Sequence, residues 1–189
     1  RRSCACQTAC PVGAIRFDRE YRLAASGREG LLVRPGPPDF SPARHTIAAR
    51  LFGRSLKLRQ VSAGGCNACE ADSNVLGTLA WDMGRFGIQF VASPRHADGL
   101  LITGPVTENM RLALEKTYAA VPAPKIVIAV GACAIAGGPY TGHPEQHNGV
   151  PHILPVDLFI PGCPPHPLTI LDGLLRFIDR IKHRSCDSQ

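Results

Sequence analysis

The 189-residue chain contains no apolar run of the roughly 18 residues that a membrane-crossing helix needs. Its longest apolar stretch, residues 126–136, is broken by Gly131. Aromatic residues are scarce, at 6% with a single Trp, and no zinc-finger spacing occurs. Stacking platforms and groove-reading motifs are therefore missing, and nucleic acid is excluded as a partner. There is no internal repeat and no low-complexity tract. Charged residues make up only 19% against 44% hydrophobic, a balance that buries a core and excludes general disorder. Eight cysteines are too few for a disulfide scaffold in a chain of this length.

What is present is unevenly placed. Residues 1–59 hold 12 Lys/Arg against 4 Asp/Glu, whereas residues 60–189 hold 9 against 11. A basic head on a near-neutral body suits docking to an acidic subunit face or an anionic surface. Three cysteines, Cys4, Cys6 and Cys10, lie in the first ten residues; Cys66 and Cys69 form a C-x-x-C pair; Cys133, Cys163 and Cys186 stand alone. Clustered thiols without a secretory signal read as metal ligands or redox groups in a reducing compartment.

The Pro/Gly run Arg34-Pro35-Gly36-Pro37-Pro38 marks a linker, because proline removes a backbone donor and fixes φ. A basic amphipathic segment follows it. Three parts are expected: residues 1–40 as an N-terminal segment and linker, 41–56 as the amphipathic piece, and 57–183 as one domain. Within that domain, alternation or β-branched apolar runs predict strands at 56–61, 88–92, 99–103, 125–130 and 156–160. Helical spacing predicts helices at 71–85, 108–120 and 168–181. Strands alternating with helices give an α/β fold, a doubly wound parallel sheet.

The cysteines gain meaning on this map. Cys66 and Cys69 follow the first strand, Cys133 follows the 125–130 strand within Gly131-Ala132-Cys133, and Cys163 follows the last within Pro161-Gly162-Cys163-Pro164-Pro165. Loops at the carboxyl ends of parallel strands share one edge, where open α/β folds bind ligands. Four thiols from three loops therefore converge. Convergent thiolates suit an iron–sulfur cube or tetrahedral zinc, and unligated core cysteines are the plainer alternative. The adjoining glycines favour the cube, since they let backbone approach a bulky group.

The motifs Gly65-Cys66-Asn67-Ala68-Cys69-Glu70, Gly104-Pro105-Val106-Thr107, Gly131-Ala132-Cys133-Ala134 and Pro161-Gly162-Cys163-Pro164-Pro165 resemble the small electron-transfer subunit shared by membrane-associated nickel–iron hydrogenases and respiratory complex I. Phe90-Val91-Ala92-Ser93-Pro94-Arg95-His96-Ala97-Asp98 is similar to the same family, and the match covers residues 55–180. The resemblance implies a flavodoxin-like domain carrying one 4Fe–4S cluster, held by Cys66, Cys69, Cys133 and Cys163. It implies no catalytic residue in this chain. The reaction would belong to a hydrogenase-like or complex I-like large subunit, with a ferredoxin-like subunit or module and membrane-arm subunits as further partners. The expected location is cytoplasmic, peripheral on the inner face of a membrane. Complex I members usually place the first two ligands as adjacent cysteines; the C-x-x-C here resembles the hydrogenases, specifically the energy-converting, formate hydrogenlyase type.

Cys6-x-x-x-Cys10-Pro11 resembles the last step of a bacterial ferredoxin motif, although the preceding ligand position is Ser3, with Cys4 one place off. Cys6 and Cys10 are thus secondary candidates for a second cluster, in a partial ferredoxin-like tail. The initial Arg, in place of Met, fits a chain beginning inside such a module. Glu70 opens a helix, where an acid complements the macrodipole; beside Cys69 it is also a candidate for potential tuning or proton coupling. His143, His147 and His152 read as loop residues, and His166 as a loop residue near Cys163.

Overall fold

The computed structural model describes residues 5–16, 19–32 and 50–180. Five strands, β1 Leu56–Ser62, β2 Ile88–Phe90, β3 Gly99–Thr103, β4 Ile126–Val130 and β5 Leu158–Ile160, form one sheet in the order β2-β1-β3-β4-β5. Every pairing within it is parallel. This is the flavodoxin-like order, whose direction of winding reverses between β1 and β3. Helices among the described residues include α1 Ala5–Ala9, α2 Ala68–Val75, α3 Glu108–Ala120, α4 Ala132–Ala136 and α5 Pro167–Phe177.

Two apolar clusters cover the two faces, and strand alternation feeds both. Leu101, Ile128, Val130, Leu158 and Ile160 join one cluster, completed by α5 through Ile170, Leu174 and Phe177. Leu100, Ile102, Val127, Ala129 and Phe159 join the other, with Leu114 of α3 and Ile135 of α4. Strands buried on both faces explain why β3 and β4 read as unbroken apolar runs.

Two departures from the sequence reading bear on the site. The helix expected at 71–85 instead spans Ala68–Val75, so Cys69 and Glu70 lie in its first turn. Asn67, left-handed at φ 69°, starts it. Consecutive turns end it, with the N–H of Thr78 donating to the Val75 carbonyl. The last helix stops at Phe177 rather than 181. The stretch before the Pro/Gly linker meets the sheet. Ala25 exchanges both backbone hydrogen bonds with Phe159, at 3.0 and 2.8 Å, covering the outer edge of β5. Ala24 packs over Gly173, where a Cβ would sit 2.8 Å from the Ala24 methyl. Cys4, Cys186 and most of the amphipathic segment lie outside the described residues.

Candidate functional site

The cysteine-bearing loops all leave the carboxyl edge of the sheet. Beyond β1, the chain turns through Gly64, at φ 88°, and reaches Cys66 just before α2 and Cys69 within it. The loop after β3 lies against this turn, backbone to backbone. A Cβ on Gly104, whose φ is 83°, would come 2.5 Å from the Gly65 nitrogen, so that position needs glycine, and one on Gly65 would sit tightly, 3.2 Å from the Gly104 Cα. Gly131, at φ 92°, ends β4 and caps α4, placing Cys133 in the first turn. The β4 and β5 loops are tied together: the Gly131 N–H donates to the Ile160 carbonyl (2.9 Å) and the Ala132 N–H to Gly162 (2.7 Å). That tie holds Cys163 beside Cys133.

Electrostatics shows the convergence. The Cys69 thiol is pushed up to about 12, by burial first and then by the neighbouring Glu70, Cys133, Cys66 and Cys163. Cys133 is raised by burial and then by Cys163 and Cys66. Cys69 and Cys133 thus lie within electrostatic reach of the other thiols, a crowding of potential thiolates that a bound cationic centre relieves. Cys66 and Cys163 are exposed, while Cys69 and Cys133 are half-buried, so the site opens on one side. Among the described residues no group of three or more His, Cys, Asp or Glu forms a metal-ion site.

The donor set nevertheless suits a thiophilic cluster. It comprises four thiols from three loops, packed where side chains have been removed. A Cβ on Gly131 would lie 2.5 Å from Cys69 Sγ, and one on Gly138 would lie 2.8 Å from Cys133 Sγ.

The other candidates are placed as follows. Glu70 is buried, and its Oε1 accepts from the Ser62 and Thr103 hydroxyls, each at 2.6 Å. Neither hydroxyl carries a sequence motif, and both were missed by sequence reasoning. His166 caps α5, its Nδ1 accepting from the Leu168 N–H at 3.1 Å, with the Trp81 ring edge-on at 5.9 Å. His147 pairs with Glu108 at 2.5 Å and is no ligand of the cysteine site. Cys6 is exposed on α1 and Cys10 follows it. The Ala14 N–H, with those of Val12, Ile15 and Gly13, holds the Cys10 thiol below its ordinary range against the opposing effect of burial.

Comparison with known proteins gives the family. The profile of the NADH ubiquinone oxidoreductase, 20 Kd subunit, matches residues 66–177, a span that includes all four convergent cysteines. A probable membrane-bound hydrogenase subunit of Pyrococcus furiosus is 41% identical over 132 residues, covering 70% of this chain and 79% of that one. An NADH-quinone oxidoreductase subunit of Bacteroides thetaiotaomicron is 41% identical over 133 residues, covering 69% of this chain and 66% of that one. A chain of the membrane-bound sulfane sulfur reductase, an archaeal respiratory membrane complex, superposes with a TM-score of 0.61 at 33% identity, over 70% of this chain and 73% of its own. The chain therefore belongs to the NADH ubiquinone oxidoreductase 20 Kd subunit family, oxidoreductase subunits that typically carry a 4Fe–4S cluster.

Proposed function

We propose that this chain is the electron-transfer subunit of a membrane-associated, nickel–iron hydrogenase-like complex, and that it carries the cluster proximal to a large subunit's active site. The observation that carries the reading is the gathering of the loops that bear Cys66, Cys69, Cys133 and Cys163 at the carboxyl edge of the sheet, close enough that neighbouring thiols raise Cys69 and Cys133. These four thiolates would hold a 4Fe–4S cluster, and the cluster supplies one-electron transfer. The chain's own residues do the rest. Glycines at 131 and 138 leave room beside the sulfurs, and the packing of Cys69 against the core shields one side from water. The exposed Cys66 and Cys163 face outward, where a partner would close the site.

The three relatives are described by different activities: hydrogenase, quinone reductase and sulfane sulfur reductase. A chain common to such different reactions is best read as their shared electron relay, with the substrate chemistry housed in a partner. The C-x-x-C spacing favours the hydrogenase-like branch. The quinone-reducing reading draws on the 41% identity to the NADH-quinone oxidoreductase relative. No helix among the described residues is long and apolar enough to cross a membrane. Attachment to a membrane arm would then run through other subunits and the basic head, on the cytoplasmic face.

The test is purification of the assembly. Hydrogen-dependent reduction of a viologen dye is expected in the complex and is lost when the large subunit is removed. Such activity in the isolated chain would overturn the assignment. Quinone reduction without hydrogen oxidation would select the complex I-like branch.

A further inference from the structure

Glu70 makes contacts that a helix-opening acid does not need. Macrodipole complementarity requires only proximity to the first turn. Here the carboxyl group is buried, and one oxygen, Oε1, takes two short hydrogen bonds. The donors come from two different strands. Ser62 ends β1, Thr103 ends β3, and the two are direct partners in the parallel register. They sit where the winding of the sheet reverses. The Thr103 hydroxyl has another acceptor, the Val61 carbonyl at 3.4 Å. Glu70 is thus not required merely to satisfy a buried hydroxyl.

We propose that Ser62, Thr103 and Glu70 form a clamp that sets the position of Cys69 relative to the other three thiols. Deepening the proposed cluster function, the clamp rests on it for its purpose, though not for its geometry. Glu70 follows Cys69 directly, and both lie in the first turn of α2. Fixing the Glu70 side chain to the ends of β1 and β3 fixes that turn against the sheet. Cys133 is set separately, by the β4–β5 loop tie. The backbone already ties Ala63 to Thr103 and Thr107, upstream of the cysteines; beyond it Gly65 meets Gly104 with no side chain between them, so without the clamp the first turn of α2 loses its side-chain tie to the sheet. Ser62, Thr103 and Glu70 are positioning residues; none is a ligand.

The experiment uses the full chain with four variants: Ser62→Ala/Thr103→Val, Thr103→Ser, Glu70→Gln and Glu70→Ala. Glutamine retains an oxygen that accepts from both hydroxyls, and serine retains the hydroxyl, so both conservative variants keep the clamp. In anaerobically purified protein, the double variant and Glu70→Ala are expected to retain iron. Their reduced cluster should give a broadened or split electron paramagnetic resonance spectrum. Thr103→Ser and Glu70→Gln should give the parent spectrum.

In iron-free chain, the rate of iodoacetamide labelling at Cys69, read by peptide mass spectrometry, should rise about ten-fold when two hydrogen bonds restraining its turn are lost. It should be unchanged in Thr103→Ser; both Glu70 variants lose a negative charge beside the thiol, so Glu70→Ala is compared with Glu70→Gln and should label several-fold faster. Parent-like labelling in a folded double variant would overturn the clamp, as would Glu70→Gln behaving like Glu70→Ala. If Glu70→Ala fails to fold, the double variant compared with Thr103→Ser decides. If the parent protein holds no iron–sulfur cluster, the cluster reading fails, and the labelling comparison still decides the clamp.

Discussion

Replacing Gly131 by Ala separates the cost of backbone strain from loss of the metal centre. Gly131 has φ 92°, a conformation that residues with a side chain rarely adopt. Forcing alanine there costs about 1–3 kcal/mol. The added Cβ would also stand 2.5 Å from Cys69 Sγ, against an ordinary non-bonded separation of about 3.5–4.0 Å. The thiol must therefore retreat by about 1 Å or more, which a thiolate–metal bond of about 2.3 Å does not tolerate. Gly142 provides the control. Its φ is 82°, with nothing within 4 Å of the added carbon, so Gly142→Ala incurs strain alone. The assay is iron and acid-labile sulfide per chain, alongside thermal unfolding of the metal-free proteins. Both variants should unfold at lower temperature than the parent, and only Gly131→Ala should lose most of its iron. Full iron in Gly131→Ala, or equal iron loss in Gly142→Ala, would refute the argument.

Within α5, Asp172 and Arg176 form an almost fully buried ion pair, Nη2 to Oδ2 at 2.7 Å, with burial raising the Asp172 carboxyl against the pull of Arg176. Asp172→Ala should destabilise the fold by about 3–5 kcal/mol by leaving a buried guanidinium without its partner, whereas Asp172→Leu/Arg176→Met should cost far less; denaturant titration distinguishes the two. Neutralising Arg44, Arg50, Arg54 and Lys57 together should weaken co-purification with partner subunits and leave iron content unchanged. High salt should mimic this, since the Debye length falls to about 3 Å at 1 M. Unchanged assembly at low and high salt would make the basic head a solvated linker. Cys6→Ser/Cys10→Ser should leave the spectrum of the four-cysteine cluster unaltered, and a changed spectrum would place those thiols in its surroundings.

Much of the architecture was legible because each strand announces itself locally. Ile126–Val130 is a β-branched apolar run with no polar alternation, the mark of a strand covered on both faces. The convergence of cysteines followed from one rule, that loops after parallel strands share an edge. The start of α2 was misplaced because a left-handed Asn67 leads straight into the helix, while the surrounding Gly and Cys residues read as loop. The hydroxyls on Glu70 were invisible for a different reason. Ser62 and Thr103 are 41 residues apart, and only the register of β1 against β3 brings them together. The pairing of Ala25 with Phe159 is likewise long-range, with no local pattern at either end.

The central claim, that Cys66, Cys69, Cys133 and Cys163 hold one 4Fe–4S cluster, is tested most directly by metal analysis of anaerobically purified protein. The parent should contain about four iron and about four labile sulfide per chain, and Cys133→Ser or Cys163→Ser should lose most of both, while Cys186→Ser changes little. Zinc in place of iron, or iron that survives Cys133→Ser but not Cys186→Ser, would contradict it.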